Sequence, residues 1–247
     1  MVAEMTGFLS RALRRGAAPL SVLKPLVGVA LGACLALAHT QTLAHGSYNW
    51  DKGNAVSVLT HHNDGWRTGW NDAETALTPA SVAATSGSKL FGLQGSVALD
   101  GLVEVQPLVV PNAYVNGDPN AGSHDVVYVG TANNTLYAID PVTRQILKSR
   151  NLGTPVGAFP GCEDNDKIIG INSTPVIDTS TNSIYVMAYV KVGSNAEFHL
   201  HRLSLSTLKD VVDPVVVSAS AQLTNGTYAR FDANYQRQRA ALLLSNG

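Results

Sequence analysis

His199 and His201 stand two residues apart in the stretch 198–204, FHLHRLS. On a β-strand that spacing puts both imidazoles on one face, and two imidazoles on one face can bind a metal ion. No third ligand can be picked out, so the plainer reading is a polar strand face. His61 and His62 are adjacent, which on an extended chain makes the two rings diverge. Glu163-Asp164-Asn165-Asp166 gathers carboxylate oxygens of the kind calcium takes, but it lacks the D-x-[DN]-x-[DN]-G spacing of a calcium loop. It reads as a solvated acidic loop. Trp66 and Trp70 flank Arg67, a set able to stack a ligand or to pack its segment onto a sheet. Asn133, Asn172 and Asn225 each open an N-x-T sequence, an acceptor in a host that glycosylates. The sequence holds no G-x-S-x-G, no P-loop and no G-x-G-x-x-G.

The elements that must position these groups are strands. Residues 126–140, VVYVGTANNTLYAID, read as a β-hairpin. β-Branched and aromatic residues suit a pleated, half-buried surface. Ala132-Asn133-Asn134 supplies the turn, because Asn tolerates the positive φ that a tight hairpin needs. In the return strand Leu136 and Ala138 point to one face, Tyr137 and Ile139 to the other. Asp140-Pro141-Val142-Thr143 makes the next turn, and residues 145–149 make a third strand. Pro107 marks a strand start or an edge within 103–110. Thr78, with Pro79 in the first helical position, caps a helical turn at 81–84. Residues 89–94, KLFGLQ, are expected as a short strand, and 151–170 as a long connection.

The pattern then recurs. Thr174-Pro175-Val176-Ile177 echoes Gln106-Pro107-Leu108-Val109, and residues 183–188 and 198–204 echo the hairpin strands. Ser206-Thr207-Leu208 echoes Val142-Thr143-Arg144. Pro107 to Pro175 spans 68 residues, Tyr128 to Tyr185 57, and Thr143 to Thr207 64. Strand order and character hold while loop lengths vary, which is the signature of a repeat built from several strands. A third unit is expected to begin at 239–247, RAALLLSNG, where Asn246-Gly247 is a hairpin signal.

With 247 residues, a hydrophobic fraction of 45% allows a packed core. Only 14% of residues are charged, the net charge is −1 and no basic run exists, which argues against nucleic acid as a partner. Arg11, Arg14, Arg15 and Lys24 precede an apolar run at 25–38. That run has the length of a signal-peptide core and is too short to cross a membrane. Ala36-Leu37-Ala38 and Thr42-Leu43-Ala44 are candidate cleavage sites. Residues 1–44 are therefore expected to be a signal peptide, and the mature protein secreted or periplasmic. Leu31-Gly32-Ala33-Cys34 resembles a lipoprotein box, but the apolar run continues past Cys34, which favours plain secretion. Without that segment Cys162 is alone, a free thiol in a loop.

The hairpin carries a finer motif, V-Y-V-G-T-x-(x)-N-x-L-Y-A-I-D-x-x-T-(x)-x-I-L, over about 25 residues. It resembles the repeat of the pyrroloquinoline-quinone (PQQ)-like β-propellers. The run Asn63-Asp64-x-x-Arg67-Thr68-Gly69-x-Asn71 before Leu77-Thr78-Pro79-x-x-Val82 is similar to the segment that leads into such propellers. The resemblance implies an all-β fold with four-stranded blades. Residues 45–88 are then a lead-in segment, and 89–247 a partial propeller of about two blades plus the start of a third, the N-terminal part of a longer protein. The strand at 89–94 would complete the last blade.

In the quinoprotein alcohol dehydrogenases of that family a G-x-E-x-x-P-L-V-V segment supplies a Glu to the cofactor. Here Glu104 stands three residues before Pro107, with the Gly displaced by one position. The family's vicinal disulfide needs a C-C-D run, and this chain has Cys162-Glu163-Asp164. That disulfide cannot form. The expectation is a non-catalytic binding or scaffold module, with ligand and partner unassigned and no cofactor. The alternative is the N-terminal part of a quinoprotein oxidoreductase that holds PQQ with calcium, with Glu104 touching the cofactor.

Overall fold

The computed structural model describes residues 56–74, 77–83, 91–93, 95–122, 124–157 and 167–245. The expected signal peptide with Cys34, the acidic run with Cys162, and the Asn246-Gly247 turn lie outside the described residues.

The regular secondary structure of the described residues is almost entirely β. One four-stranded antiparallel sheet comprises β1 (Leu108–Val110), β2 (Val126–Gly130), β3 (Thr135–Ile139) and β4 (Ile146–Asn151), in that order. After a two-stranded pair, β5 (Val156–Gly157) and β6 (Ile168–Ile169), a second four-stranded antiparallel sheet follows. It comprises β7 (Val176–Asp178), β8 (Ser183–Val192), β9 (Asn195–Ser204) and β10 (Val215–Val216). A small hairpin, β11 (Ser220–Gln222) with β12 (Tyr228–Arg230), comes last. Both large sheets are meanders, so each strand pairs with its neighbour in sequence.

The turns form for the reasons their residues suggest. Asn134 takes φ +60° and its N–H donates to the Thr131 carbonyl at 3.0 Å. The Asp140 carboxylate accepts from the N–H groups of Val142 and Thr143 and from the Thr143 hydroxyl. Helix α1 (Pro79–Ala83) is a single turn whose Ser81 N–H donates to Thr78 Oγ1 at 3.1 Å, the expected cap.

The sequence echo is also a conformational one. Arg144 and Leu208 both adopt positive φ, +63° and +54°. Their N–H groups donate back to Asp140 and Ser204 at 2.8 Å each. In turn Asp140 N–H reaches Gln145 and Ser204 N–H reaches Lys209. The same turn thus follows the third strand of each sheet in register with the motif, at β3–β4 and at the end of β9.

The two sheets share one core. Leu108, Val126, Leu136 and Ala138 from the first pack in one cluster with Ile184, Val186, Ala188 and Leu203 from the second. All five residues of β3 are buried, so both of its faces are covered. The Tyr128 hydroxyl crosses to the Leu205 carbonyl at 3.1 Å. The lead-in chain joins both sheets as well. Val58 exchanges two 2.9 Å backbone bonds with Val109 beside β1, and the Leu59 carbonyl accepts from Ile177 in β7.

Three expectations change. Residues 91–93, the described part of the expected strand at 89–94, form no strand. Leu93 is 90% exposed, so nothing packs on it to hold an extended edge. The second hairpin is longer than its apolar stretches, because Gly193 at φ +60° lets β8 and β9 stay paired out to Val192 and Asn195. His61 and His62 stack, with ring centroids 3.9 Å apart, where an extended chain would separate them. The backbone turns there, since His62 and Asn63 both take positive φ and Asn63 N–H donates to Thr60.

Candidate functional site

The segments just before β1 and β7 lie side by side. Gln106 N–H donates to Thr174 Oγ1 at 3.0 Å across a spacing of 68 residues. Asn172 Nδ2 donates to the Glu104 carboxylate, again 68 residues apart. Repeat-equivalent positions therefore touch each other. A third segment joins them, because Leu242 N–H donates to the Thr174 carbonyl at 3.0 Å and Ser173 Oγ to Ala240 at 2.7 Å. Gln238 Nε2 donates to the Ala240 carbonyl at 2.6 Å and to Ser173 Oγ at 3.2 Å. Arg67 clamps the same segment by donating to the carbonyls of Ala241 and Leu242, each at 3.1 Å.

A cavity of about 210 Å³ opens where the second and third segments meet β8 and β9, with Asn172, Tyr189, Phe198 and residues 237–239 in its wall. Gly170 sets the approach on one side. A Cβ there would lie 2.3 Å from the Ala132 carbonyl oxygen, so only glycine lets this chain run against the β2–β3 turn. Tyr189 and Phe198 form the apolar wall, their rings stacked at 4.3 Å. The Tyr189 hydroxyl donates to Ala233 at 2.5 Å. Burial raises its pKa, Arg237 pulls it back and Asp232 adds to the rise. Arg237 and Arg239 are exposed at the other wall, and no acidic residue lines the cavity.

Glu104, the residue expected to touch a cofactor, is exposed. It reaches this cavity only through Asn172 and does not line it. The His199–x–His201 pair does share a strand face, with ring centroids 6.3 Å apart. Each ring has its own carboxylate, however. His199 Nε2 meets Glu197 and His201 Nδ1 meets Asp210, both at 2.8 Å. Among the described residues no group of three or more His, Cys, Asp or Glu side chains is arranged to hold a metal ion.

Trp66 and Trp70 are 84% and 72% exposed, while Arg67 between them is the clamp described above. The sequon residues are also placed. Asn133 Nδ2 donates to Asp100 at 2.9 Å and Asn172 Nδ2 to Glu104. Asn225 sits in the exposed turn between β11 and β12, its Oδ1 accepting from Thr227.

Asp100 was not legible as a structural carboxylate. It accepts from the hydroxyls of Thr131 at 2.8 Å and Thr135 at 2.5 Å as well as from Asn133. Burial alone would raise its pKa, but those bonds outweigh burial and hold it below the usual carboxylate range. Tyr189, Phe198, Gln238 and Arg239 were equally unmarked. Asn172 alone carried a signal, its 68-residue offset from Glu104.

No helix among the described residues is long and apolar enough to cross a membrane. Compared with protein-family models, with curated proteins and with solved structures, the chain matches none.

Proposed function

We propose that this chain is a PQQ-like β-propeller module, exported from the cytoplasm, that binds a ligand or partner without catalysing a reaction on it. One observation carries the reading. Segments that are equivalent in the sequence repeat bond to each other, Gln106 to Thr174 and Glu104 to Asn172, each leading into its own four-stranded meander. Repetition about an axis brings equivalent first strands together in this way. A cavity at such a junction is a natural ligand site. Export rests on the charged start, the apolar run and the A-x-A sequence of residues 1–44. The mature protein is expected to begin near His39 or His45, which N-terminal sequencing of exported material decides.

The quinoprotein reading draws on Glu104, whose exposed carboxylate stands beside Asn172 at that junction. The solitary Cys162 weighs against it, since one sulfur cannot form the family's vicinal disulfide. Full-length protein is mixed with PQQ and calcium, and quinone absorbance is followed through gel filtration alongside dye-coupled alcohol oxidation. The module predicts no quinone in the protein peak and no dye reduction. Stoichiometric retention with alcohol-dependent dye reduction makes the protein an oxidoreductase. Retention without turnover makes it a non-catalytic PQQ-binding module.

A further inference from the structure

Residues 211–230 form an arm in which every residue except Val217 is exposed. Its charged side chains are Asp213 and Arg230 alone. Beyond β10 its regular structure is the β11–β12 hairpin, with three residues in each strand and no buried side chain. A lone two-stranded hairpin is marginally stable in water. It therefore opens locally at lower cost than the two packed sheets. Its tip is Thr224-Asn225-Gly226-Thr227.

Asn-Gly is a reactive pair. The backbone nitrogen of the glycine can attack the side-chain amide carbon of the asparagine and close an imide ring. Both groups belong to one short stretch of chain, and glycine has no Cβ to shield the nitrogen. At the tip Asn225 Oδ1 accepts from the Thr227 N–H at 3.0 Å and from the Thr227 hydroxyl at 2.7 Å. The first bond closes a loop of atoms that contains both reacting atoms, Asn225 Cγ and Gly226 N. The side chain is thus folded back over its own downstream peptide. The two donors also stand where negative charge gathers when Cγ is attacked, as in an oxyanion hole. One bond opposes the attack. Gly226 N–H donates to the Leu223 carbonyl at 2.9 Å and must leave it, which local opening of the hairpin allows. Among the described residues the other Asn-Gly pair is Asn116-Gly117. Its backbone is held on both sides, because Asn116 N–H donates to the Ser206 carbonyl at 2.8 Å and the Asn116 carbonyl accepts from Lys148 Nζ at 2.7 Å.

We propose that Asn225 is a site of spontaneous deamidation, with water as the co-reactant. A base takes the Gly226 amide proton, the nitrogen bonds to Asn225 Cγ, and the bond from Cγ to NH₂ breaks as ammonia leaves with a proton. Water then opens the imide at either carbonyl and leaves aspartate or isoaspartate. Nothing is oxidised or reduced. Either product adds a negative charge at the tip of an arm that otherwise holds one acid and one base. Isoaspartate also adds a carbon to the main chain between Leu223 and Thr227, whose 2.7 Å backbone bond closes the hairpin. The modification therefore unpairs β11 from β12, and it removes the amide of the N-x-T sequence at 225.

Incubation of the full-length protein in mildly alkaline heavy-oxygen water, followed by peptide mapping in a mass spectrometer, tests it. Heavy oxygen marks only the asparagines converted during the incubation. A short peptide of residues 222–229 is followed alongside as the unfolded reference. Asn225 is expected to convert before Asn116, with isoaspartate among the products. Thr227→Val keeps the N–H donor and removes the hydroxyl, and should slow the conversion about threefold, the worth of one exposed hydrogen bond. Thr224→Val, on the other side of the asparagine, should leave the rate unchanged. Melting curves of both variants should match the wild type, since the arm is exposed, and they separate a changed rate from a changed fold. Asn116 converting as fast as Asn225 overturns the proposal. So does an unlabelled Asn225 in the protein after the reference peptide has converted. Equal rates in the wild type and Thr227→Val overturn the part given to the turn geometry.

Discussion

Asn134 Nδ2 donates to the Tyr189 carbonyl at 2.7 Å, and the contact is buried. A turn residue of the first sheet thereby holds a strand of the second, across 55 residues of chain. The same residue sits at φ +60°, so it serves backbone and side chain together. Two substitutions separate the roles. Asn134→Gly keeps the turn but strips the carbonyl of its donor, which should cost about 1–3 kcal/mol. Asn134→Ala loses the same bond and, unlike Gly, keeps a Cβ in the left-handed region without the polar side chain that lets Asn tolerate it, costing about 1–2 kcal/mol more than Gly. Denaturant unfolding should rank wild type above Gly and Gly above Ala. Equal stability of the two variants would sink the claim that the turn conformation matters.

Much of this architecture was legible because its chemistry is local. The Asn-rich turn, the Asp140 turn and the apolar strands of 126–140 each declare themselves within a few residues. So did the echo between Gln106-Pro107 and Thr174-Pro175, which turned out to be a direct contact. The short pairs β5–β6 and β11–β12 did not, because strands of two or three residues carry no periodicity. The His61–His62 stack was hidden by two positive φ angles that Asn63 suggests only weakly. The cavity was illegible for a different reason. Its wall comes from chain stretches around 169–172, 189, 198 and 237–239, and nothing in any one of them points to the others. Glu104, singled out in the sequence, is bonded to Asn172, and Asn172 lines the cavity while Glu104 does not.

Gly170 gives the second prediction. Its missing side chain lets the 170–174 segment lie on the β2–β3 turn, with Asn134 N and Oδ1 also within 2.8 Å of where a Cβ would be. Those are backbone atoms and an anchored amide, so they cannot step aside. Gly170→Ala should destabilise by about 1–3 kcal/mol, the range for overpacking. Gly130→Ala is the control. The atoms nearest its Cβ would belong to the Ile171 side chain, at 2.8 Å or more, and not to a backbone carbonyl at 2.3 Å. Thermal melts should show the larger loss at Gly170.

Tyr128 ties the two sheets through its hydroxyl and is 1% exposed. Burial pushes its pKa well above the usual tyrosine value. The ionised phenolate is disfavoured in the fold and allowed in the unfolded chain. The unfolded state therefore holds fewer protons above about pH 10, and stability falls as pH rises from there. Tyr128→Phe should remove that group's share of the alkaline loss while costing about 1 kcal/mol at neutral pH through the lost bond. Unfolding free energies at pH 7 and pH 10.5 for both proteins provide the check.

His201 should set the acid side of the stability profile. Its ring is 4% exposed on β9, and Nδ1 donates to Asp210 Oδ1 at 2.8 Å. Arg150 of β4 pairs with the other oxygen of the same carboxylate, so Asp210 clasps both sheets. Burial lowers the His201 pKa most. The bond and charge of Asp210 push it up, while His199 and Arg150 push it down, and the net direction is down. The contact at neutral pH is thus a hydrogen bond from a neutral ring. A depressed pKa means that the unfolded chain takes up a proton first. The stabilising contribution of neutral His201 is whole above about pH 6.5 and is lost as pH falls through the folded-state pKa. Urea midpoints should therefore drop between pH 7 and pH 5. His201→Asn offers a donor at the same place without a titrating ring, so its profile should be flatter over that window. An NMR titration of the ring gives an independent reading. If Asp210 instead dominated, the pKa would lie above about 6.5, acid would strengthen the clasp, and the midpoint would rise on acidification in the wild type but not in the Asn variant.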